Sequence, residues 1–264
     1  MKKSNEAEQM GEKKYITNKT LFGQPEILGF GSDDFCVKEI GRNLANKLII
    51  ENHYSHKFYN ATYIHLGIFL NLKLVGVLQY GYAMNPASCG GIVEGTEMSQ
   101  YLELNRMWLS DEAKRNSESI AISYSIKYIK RKYPKIKWIQ SFADERCNFY
   151  GIVYQACSFN FYGEHESVFW TLNNEVFHNS LMTRNPNLSK AAAVIQKGKN
   201  EAKSEKLRQF RYIKFLDERW KRKCLLKEEP YPKYYDNSNG FSKTEEGISL
   251  KKYGKIINNI EEVE

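Results

Sequence analysis

The spacing of apolar positions switches repeatedly between the strand period and the helix period. Phe35 to Ile40 is a short apolar-rich strand, and "GRNLANKLIIENHYSH" after it moves to helical spacing. There Leu44, Leu48 and Asn52 lie along one edge with Ala45 and Ile49 beside them, so one face is apolar, and His53 and Tyr54 fall at the helix end. "YIHLGIFLNLKLVGVLQYGYAM" carries two β-rich runs separated by Asn71-Leu72-Lys73, which predicts a hairpin. Its strands are almost continuously apolar, as expected when both faces are covered. Met84 to Gln100, with glycines, a proline and small residues, reads as a long loop near function.

"YLELNRMWLS" is a further strand, and "DEAKRNSES" leads from it into the helix "IAISYSIKYIKRKYP". Ile122, Ile126 and Ile129 share one face of that helix, Lys130, Arg131 and Lys132 complement its C-terminal dipole, and Pro134 ends it. "KIKWIQSFAD" is then a strand with Asp144 at its C-terminal end. Gly151 to Ser158 makes a short helix, and "FNFYG" with "ESVFWTL" a closing strand pair. The order β-α-β-β-β-α-β-α-β-β predicts an α/β (α+β) fold with a mixed central sheet flanked by helices.

Composition narrows the class. Of 264 residues 42% are apolar and 14% aromatic, enough for a real core, and no apolar run approaches the length of a membrane span. The start, "MKKSNEAEQMGEKK", lacks the hydrophobic stretch of a signal peptide, so the expected location is cytoplasmic. The five cysteines are widely spaced without a C-x-x-C pair, which argues for buried thiols and against a disulfide framework or zinc finger. Net charge is +8, and 15 Lys and Arg against six acidic residues between Arg184 and Lys233 account for the whole excess. Interleaved with Phe210, Tyr212, Phe215, Trp220, Tyr231, Tyr234 and Tyr235, that block suits phosphate contacts and base stacking; a solubilising extension packed on the core is the competing reading. The expected organisation is a disordered lead over 1–15, a catalytic domain over 16–183, a basic nucleic-acid-contacting extension over 184–235 and a flexible tail over 236–264.

A strand, a turn bearing small residues, a helix and a second parallel strand place backbone amides where a phosphate binds. This resembles the GNAT acyltransferases, whose sheet is splayed and whose turn holds the pyrophosphate of acetyl-CoA. Lys114, Ser117 and Ser119 occupy the turn positions here, with serines where that family has glycine. "IVYQACSF" is similar to its later motif, with Tyr154 at the tyrosine that protonates the leaving thiolate and Phe159 at the phenylalanine.

"ENHYSHKF", "LELNRMWLSDEAKRNSESIAIS", "WIQSFADERCNFYGIVYQACSFNFYGE" and "RQFRYIKFLDERWKRKCLLKEEPYPK" together resemble the Mom family of phage DNA-modification proteins, over about residues 36 to 235. The resemblance implies a transferase that alters the exocyclic amine of adenine in double-stranded DNA, giving an N-carbamoylmethyl product that protects phage DNA from restriction. It implies acetyl-CoA or a related acyl-CoA as donor. It carries His53, Tyr54, Asp144 and Tyr154 over as catalytic residues, and Arg106 and Ser119, with Lys114 and Ser117 from the turn, as cofactor-binding residues. His53, Tyr54 and Asp144 offer an imidazole, a phenolate and a carboxylate, a set suited to iron, which the resemblance makes a candidate cofactor. The amine is hidden in the duplex, so the base has to be extruded.

Blander roles compete at each position. His53, Tyr54 and His56 could simply hold the helix end, Tyr154 could be a core tyrosine, and Arg106 could pair with Glu103 or Asp111. Ser117 and Ser119 could cap their helix, His65 inside a strand reads as structural, and Cys147 and Cys157 as packing. Two other functions stay open: an ordinary GNAT N-acetyltransferase acting on a small-molecule or protein amine, and a non-catalytic nucleic-acid binder.

Overall fold

Period-two apolar runs become strands and the longer helical stretches become the two helices that cover them. The computed structural model describes residues 12–18, 23, 25–145, 150–173, 175–179, 182, 184–188, 190–232, 241–244 and 247–250. The chain divides into two compact units, one of Met1–Ser141, Ala156–Phe159 and Ile213–Leu226, the other of Phe142–Gln155, Asn160–Tyr212 and Lys227–Glu264.

In the first unit Lys14–Thr17 (β1), Ile27–Gly31 (β2), Phe35–Glu39 (β3), Thr62–Leu70 (β4), Lys73–Gly81 (β5) and Tyr101–Leu109 (β6) are successive antiparallel neighbours. The strand Trp138–Asp144 (β7) begins in this unit and joins β6 in parallel. A parallel pair needs a crossover, and the helix Ser117–Lys132 (α2) supplies it. The other long helix, Arg42–Asn52 (α1), joins β3 to β4.

The two helices cover opposite faces of the sheet. Ala45 and Ile49 of α1 pack on Val77 of β5, whereas Tyr80, three residues along the same strand, meets Ser125 Oγ of α2 with its hydroxyl at 2.5 Å. Ile122, Ile126 and Ile129 are all buried, as the helical spacing predicts; on α1 the buried line is Ala45 and Ile49, while Leu44 is exposed. Burying each such isoleucine contributes about 1.5–3 kcal/mol. The β4–β5 turn is tighter than expected: Leu70 pairs with Lys73, so Asn71 and Leu72 alone make the loop, both at positive φ (48° and 66°). That is the two-residue turn whose twist matches the flanking strands.

In the second unit Asn160–Leu172 (β8) is one long strand where a pair was expected. Its polar middle, Gly163 to Glu166, resembles a turn in sequence but is a solvent-facing stretch between buried ends. The partner of its C-terminal end is Glu175–His178 (β9), and its other neighbour is Lys203–Phe215 (β10), which runs on into the first unit. Ile152–Ala156 (α3) precedes β8, and Lys190–Lys197 (α4) buries Ile195 against Leu172 and Phe177.

Three expectations about organisation change. Lys14–Thr17, at the edge of the lead expected to be disordered, is a strand; residues 1–11 lie outside the described residues. The basic block contains the strand β10, in which Phe210, Tyr212 and Phe215 are buried side chains. Tyr231 is exposed, and Tyr234 and Tyr235 lie outside the described residues. In the segment expected to be a flexible tail, Phe241–Thr244 pairs antiparallel with Gly247–Leu250.

Candidate functional site

The β6–β7 pair is the starting point, since both strands lead to residues expected in the site. Their ladder runs Tyr101↔Trp138, Leu102↔Ile139 and Glu103↔Gln140. At the next step the Leu104 carbonyl accepts from the Ser141 hydroxyl (3.1 Å), and Gln140 Nε2 donates to Glu103 Oε2 (2.8 Å), so side chains occupy groups at the end of the ladder. On its other edge β6 carries a bulge: Gln79 pairs with Arg106 but Tyr80 pairs with Leu104, leaving Asn105 as the extra residue. Asn105 Nδ2 donates to Tyr82 O (3.1 Å) and Glu103 Oε1 (2.9 Å), while its buried Oδ1 accepts no hydrogen bond. Bulges re-aim side chains and are enriched beside active sites.

The turn after α1 lies against this region. His53 is buried and closes α1 by donating its backbone N–H to Ile49 O. The Ser55 N–H points at His53 Nδ1 (3.1 Å), which makes Nδ1 an acceptor and leaves the ring proton of neutral His53 on Nε2; Ser55 Oγ also lies 2.8 Å from Nδ1. Tyr54 is half exposed and tilts over the imidazole, with ring centroids 4.2 Å apart. His56 adopts φ 46° and bonds Ile50 O through Nδ1 (2.9 Å), so it serves the helix end.

Arg106 is held by backbone carbonyls of two segments. Its Nε donates to Lys57 O (3.1 Å) and its Nη1 to Asn105 O (2.7 Å), and the guanidinium lies 5.9 Å from the Tyr59 ring centroid. It pairs with neither Glu103 nor Asp111, and two of its five donors are engaged by backbone carbonyls.

The turn from β6 to α2 holds the other expected ligands. Asn116, the residue capping α2, sits at φ 69° and its side chain makes no capping bond. First-turn amides therefore lack that acceptor, as at helix ends that bind anions. Ser117 is buried and its N–H donates to Lys114 O (3.1 Å); Ser119 Oγ donates to Asn116 O (2.9 Å), so neither hydroxyl caps the helix by the usual route. The Lys114 side chain is exposed. Cys157 donates its thiol to Ser119 O (3.2 Å), and burial raises that thiol's pKa, which fits packing and not nucleophilic chemistry. Cys147 lies outside the described residues.

Asp144 and Tyr154 belong to the second unit. Asp144 is buried as the last residue of β7. Tyr154 is on α3, its ring 5.4 Å from that of Tyr212. Tyr212 is fully buried; its hydroxyl donates to the Tyr150 carbonyl and accepts from Gln155 Nε2 (3.0 Å), and desolvation by burial pushes its pKa up to about 12. Gly151, at φ 77°, starts this segment and lies flat against the Tyr212 ring.

Among the described residues no group of three His, Cys, Asp or Glu side chains is placed to hold a metal ion. His65 is structural: it is buried, its Nδ1 is 3.3 Å from Gln79 Nε2, and burial and then Arg42 lower its pKa. Sequence reading missed Asn105 and undervalued Glu103. Two polar residues at strand spacing inside "YLELNRMWL" were the available signal, though a bulge cannot be read from it.

The model of the Mom protein family matches residues 34–233. A protein of Escherichia phage Mu named methylcarbamoylase mom is 46% identical over 211 residues, which is 79% of this chain and 88% of that protein. Among solved structures, the ribosomal-protein-S5-alanine acetyltransferase from Vibrio fischeri aligns over 73% of this chain and 98% of its own at 12% identity and a TM-score of 0.44. Arabidopsis thaliana NAA60 in complex with acetyl-CoA aligns over 69% and 99% at 9% identity and the same TM-score of 0.44.

Proposed function

This chain belongs to the Mom protein family, and we propose that it is a transferase that modifies the exocyclic amine of adenine in DNA, leaving a carbamoylmethyl-type group. The observation that carries this reading is the 46% identity to the phage Mu methylcarbamoylase across 88% of that protein. We propose further that the donor is an acyl-CoA and that the modification shields phage DNA from restriction.

The residues fit such a donor. Its phosphates would be held at the α2 N-terminus, where Asn116 leaves amides uncapped, with Lys114 adding charge. When bound, the donor would supply the two-carbon acyl unit; displacement of thiolate by the amine alone would give an N-acyl adenine, so a carbamoylmethyl group, joined through its CH2 and carrying an amide nitrogen, requires a nitrogen-bearing co-substrate as well. The adenine amine is a weak nucleophile because its lone pair is delocalised into the ring, so the chain has to orient it and remove its proton as the new N–C bond forms. Asn105 Oδ1, buried and without a donor, is the proposed acceptor for the amine N–H. His53, its Nδ1 engaged by Ser55, is proposed to act through Nε2. Asp144 is the proposed proton acceptor and Tyr154 the proposed donor to the leaving group. No step is assigned to a metal.

The basic segment supplies phosphate contacts to the duplex, from exposed side chains such as Lys190, Lys203 and Arg219. Exposing the amine requires extrusion of the base.

The purified chain, incubated with duplex DNA and radiolabelled acyl-CoA donors one at a time, tests the reading. Label should enter the DNA and be lost with Tyr154→Phe or Asp144→Ala. Label entering only protein or small amines would convert the reading to an ordinary acetyltransferase, and no CoA binding at all would make the chain a nucleic-acid binder.

A further inference from the structure

We propose that Arg106 is a positioning residue that clamps the His53–Tyr54 turn to the β6 bulge. This rests on the reading of His53 and Tyr54 as catalytic, and it gives Arg106 a role different from the phosphate contact that the family resemblance implies.

The hydrogen bonds form an unbroken path. Ser55 donates its N–H to His53 Nδ1 (3.1 Å), and its one hydroxyl proton is shared between His53 Nδ1 (2.8 Å) and Lys57 O (3.3 Å). That same carbonyl accepts from Arg106 Nε (3.1 Å). Arg106 Nη1 then donates to Asn105 O (2.7 Å), the bulged residue whose side chain reaches Glu103 (2.9 Å), and Glu103 is held in turn by Gln140 (2.8 Å). One guanidinium thus ties the segment after α1 to a strand 49 residues further along.

Geometry explains why arginine suits the position. Two carbonyls from different segments need donors at a fixed spacing and angle, which the planar guanidinium provides and a lysine ammonium does not. Tyr59 adds a ring 5.9 Å from the cation. The segment between α1 and β4 lacks regular structure; His56 on Ile50 O, Arg42 on Asn60 O and Thr62 on Tyr59 O hold its two ends, and Arg106 holds its middle at Lys57. Without the clamp the imidazole and phenol lose their common reference to the bulge, and misplacement by about 1 Å is enough to slow catalysis about a hundredfold.

Two readouts separate the clamp from a phosphate ligand. Hydrogen exchange needs no activity: Arg106→Gln should speed amide exchange across residues 53–60 about tenfold or more while α2 remains as protected as in the parent chain. Kinetically, kcat should fall at least tenfold with the KM for the acyl-CoA donor changed less than about threefold, and Arg106→Lys should recover only part of the loss. Ser55→Ala, which breaks the path on the other side of Lys57, should reduce kcat, and its effect should be less than additive with Arg106→Gln. Unchanged exchange across 53–60 would overturn the clamp whatever the enzyme's activity. So would a large rise in donor KM at constant kcat, which marks a phosphate contact. Faster exchange in a chain that modifies no DNA would leave the clamp standing and refute the functional reading alone.

Discussion

Gly151→Ala is expected to destabilise the chain by about 2–5 kcal/mol, from two separable causes. The first is backbone: Gly151 has φ 77°, a left-handed conformation that costs an L-residue about 1–2 kcal/mol. The second is packing. A Cβ at this position would stand 2.3 Å from Tyr212 Cε2 and 2.8 Å from Cζ, whereas carbon atoms pack at about 3.5–4.0 Å, so the ring has to retreat by about 1 Å. It has nowhere to go, being fully buried, bonded by its hydroxyl to Tyr150 and Gln155, and packed 5.3 Å from the Phe161 ring. Overpacking of this kind costs about 1–3 kcal/mol. Gly95 is the control: its φ is 70° but a Cβ there meets nothing within 4 Å, so Gly95→Ala should show the backbone cost alone. Urea unfolding of both variants reads the difference from their midpoints. Equal losses in the two would show that Tyr212 yields freely and that Gly151 does not seat it. The result matters for the site because Tyr154 donates its N–H to Gly151 O (2.9 Å), so the same glycine sets the start of α3.

Other consequences can be checked as directly. Leu72 occupies the second place of the β4–β5 turn at φ 66° with 74% of its surface exposed, so Leu72→Gly should raise the urea midpoint by an amount equivalent to about 1 kcal/mol. Burial lowers the pKa of His65, with Arg42 acting in the same direction. Its contribution to stability is therefore complete above the unfolded value of about 6.5 and is lost as pH falls through the lowered folded value; thermal midpoints should drop from pH 7 to 5, and less so in His65→Gln. Burial raises the thiol pKa of Cys36, Cys89 and Cys157, whereas Cys224 is half exposed, so brief alkylation of the native protein should label Cys224 well ahead of those three, as peptide mass spectrometry would show.

Much of the first unit was legible because its elements are long and strongly periodic. Ile122, Ile126 and Ile129 mark the buried face of α2 without any knowledge of what covers it. β1 was missed since Lys14–Thr17 is short and mostly exposed, giving no alternation to read. In the basic block the charge excess hid a strand: Leu207, Phe210, Tyr212, Ile213 and Phe215 are buried, while the lysines and arginines between them produced a composition that looked like an appended arm. Candidate side chains were recoverable from motifs, but their partners were not. Arg106 finds its acceptors on Lys57 and at a bulge, and neither a distant carbonyl nor an extra strand residue leaves a trace in local sequence. A guanidinium on a strand reads equally well as a phosphate ligand or a clamp until the fold shows which oxygens lie near it.

The functional account meets its most direct test in nucleoside mass spectrometry of DNA from cells expressing the intact chain, set beside cells expressing Asp144→Ala at equal soluble yield. The intact chain should produce deoxyadenosine carrying one carbamoylmethyl group on its exocyclic nitrogen, and the variant should leave that nucleoside unaltered. Unmodified deoxyadenosine in both, with the protein soluble and folded, would contradict the account.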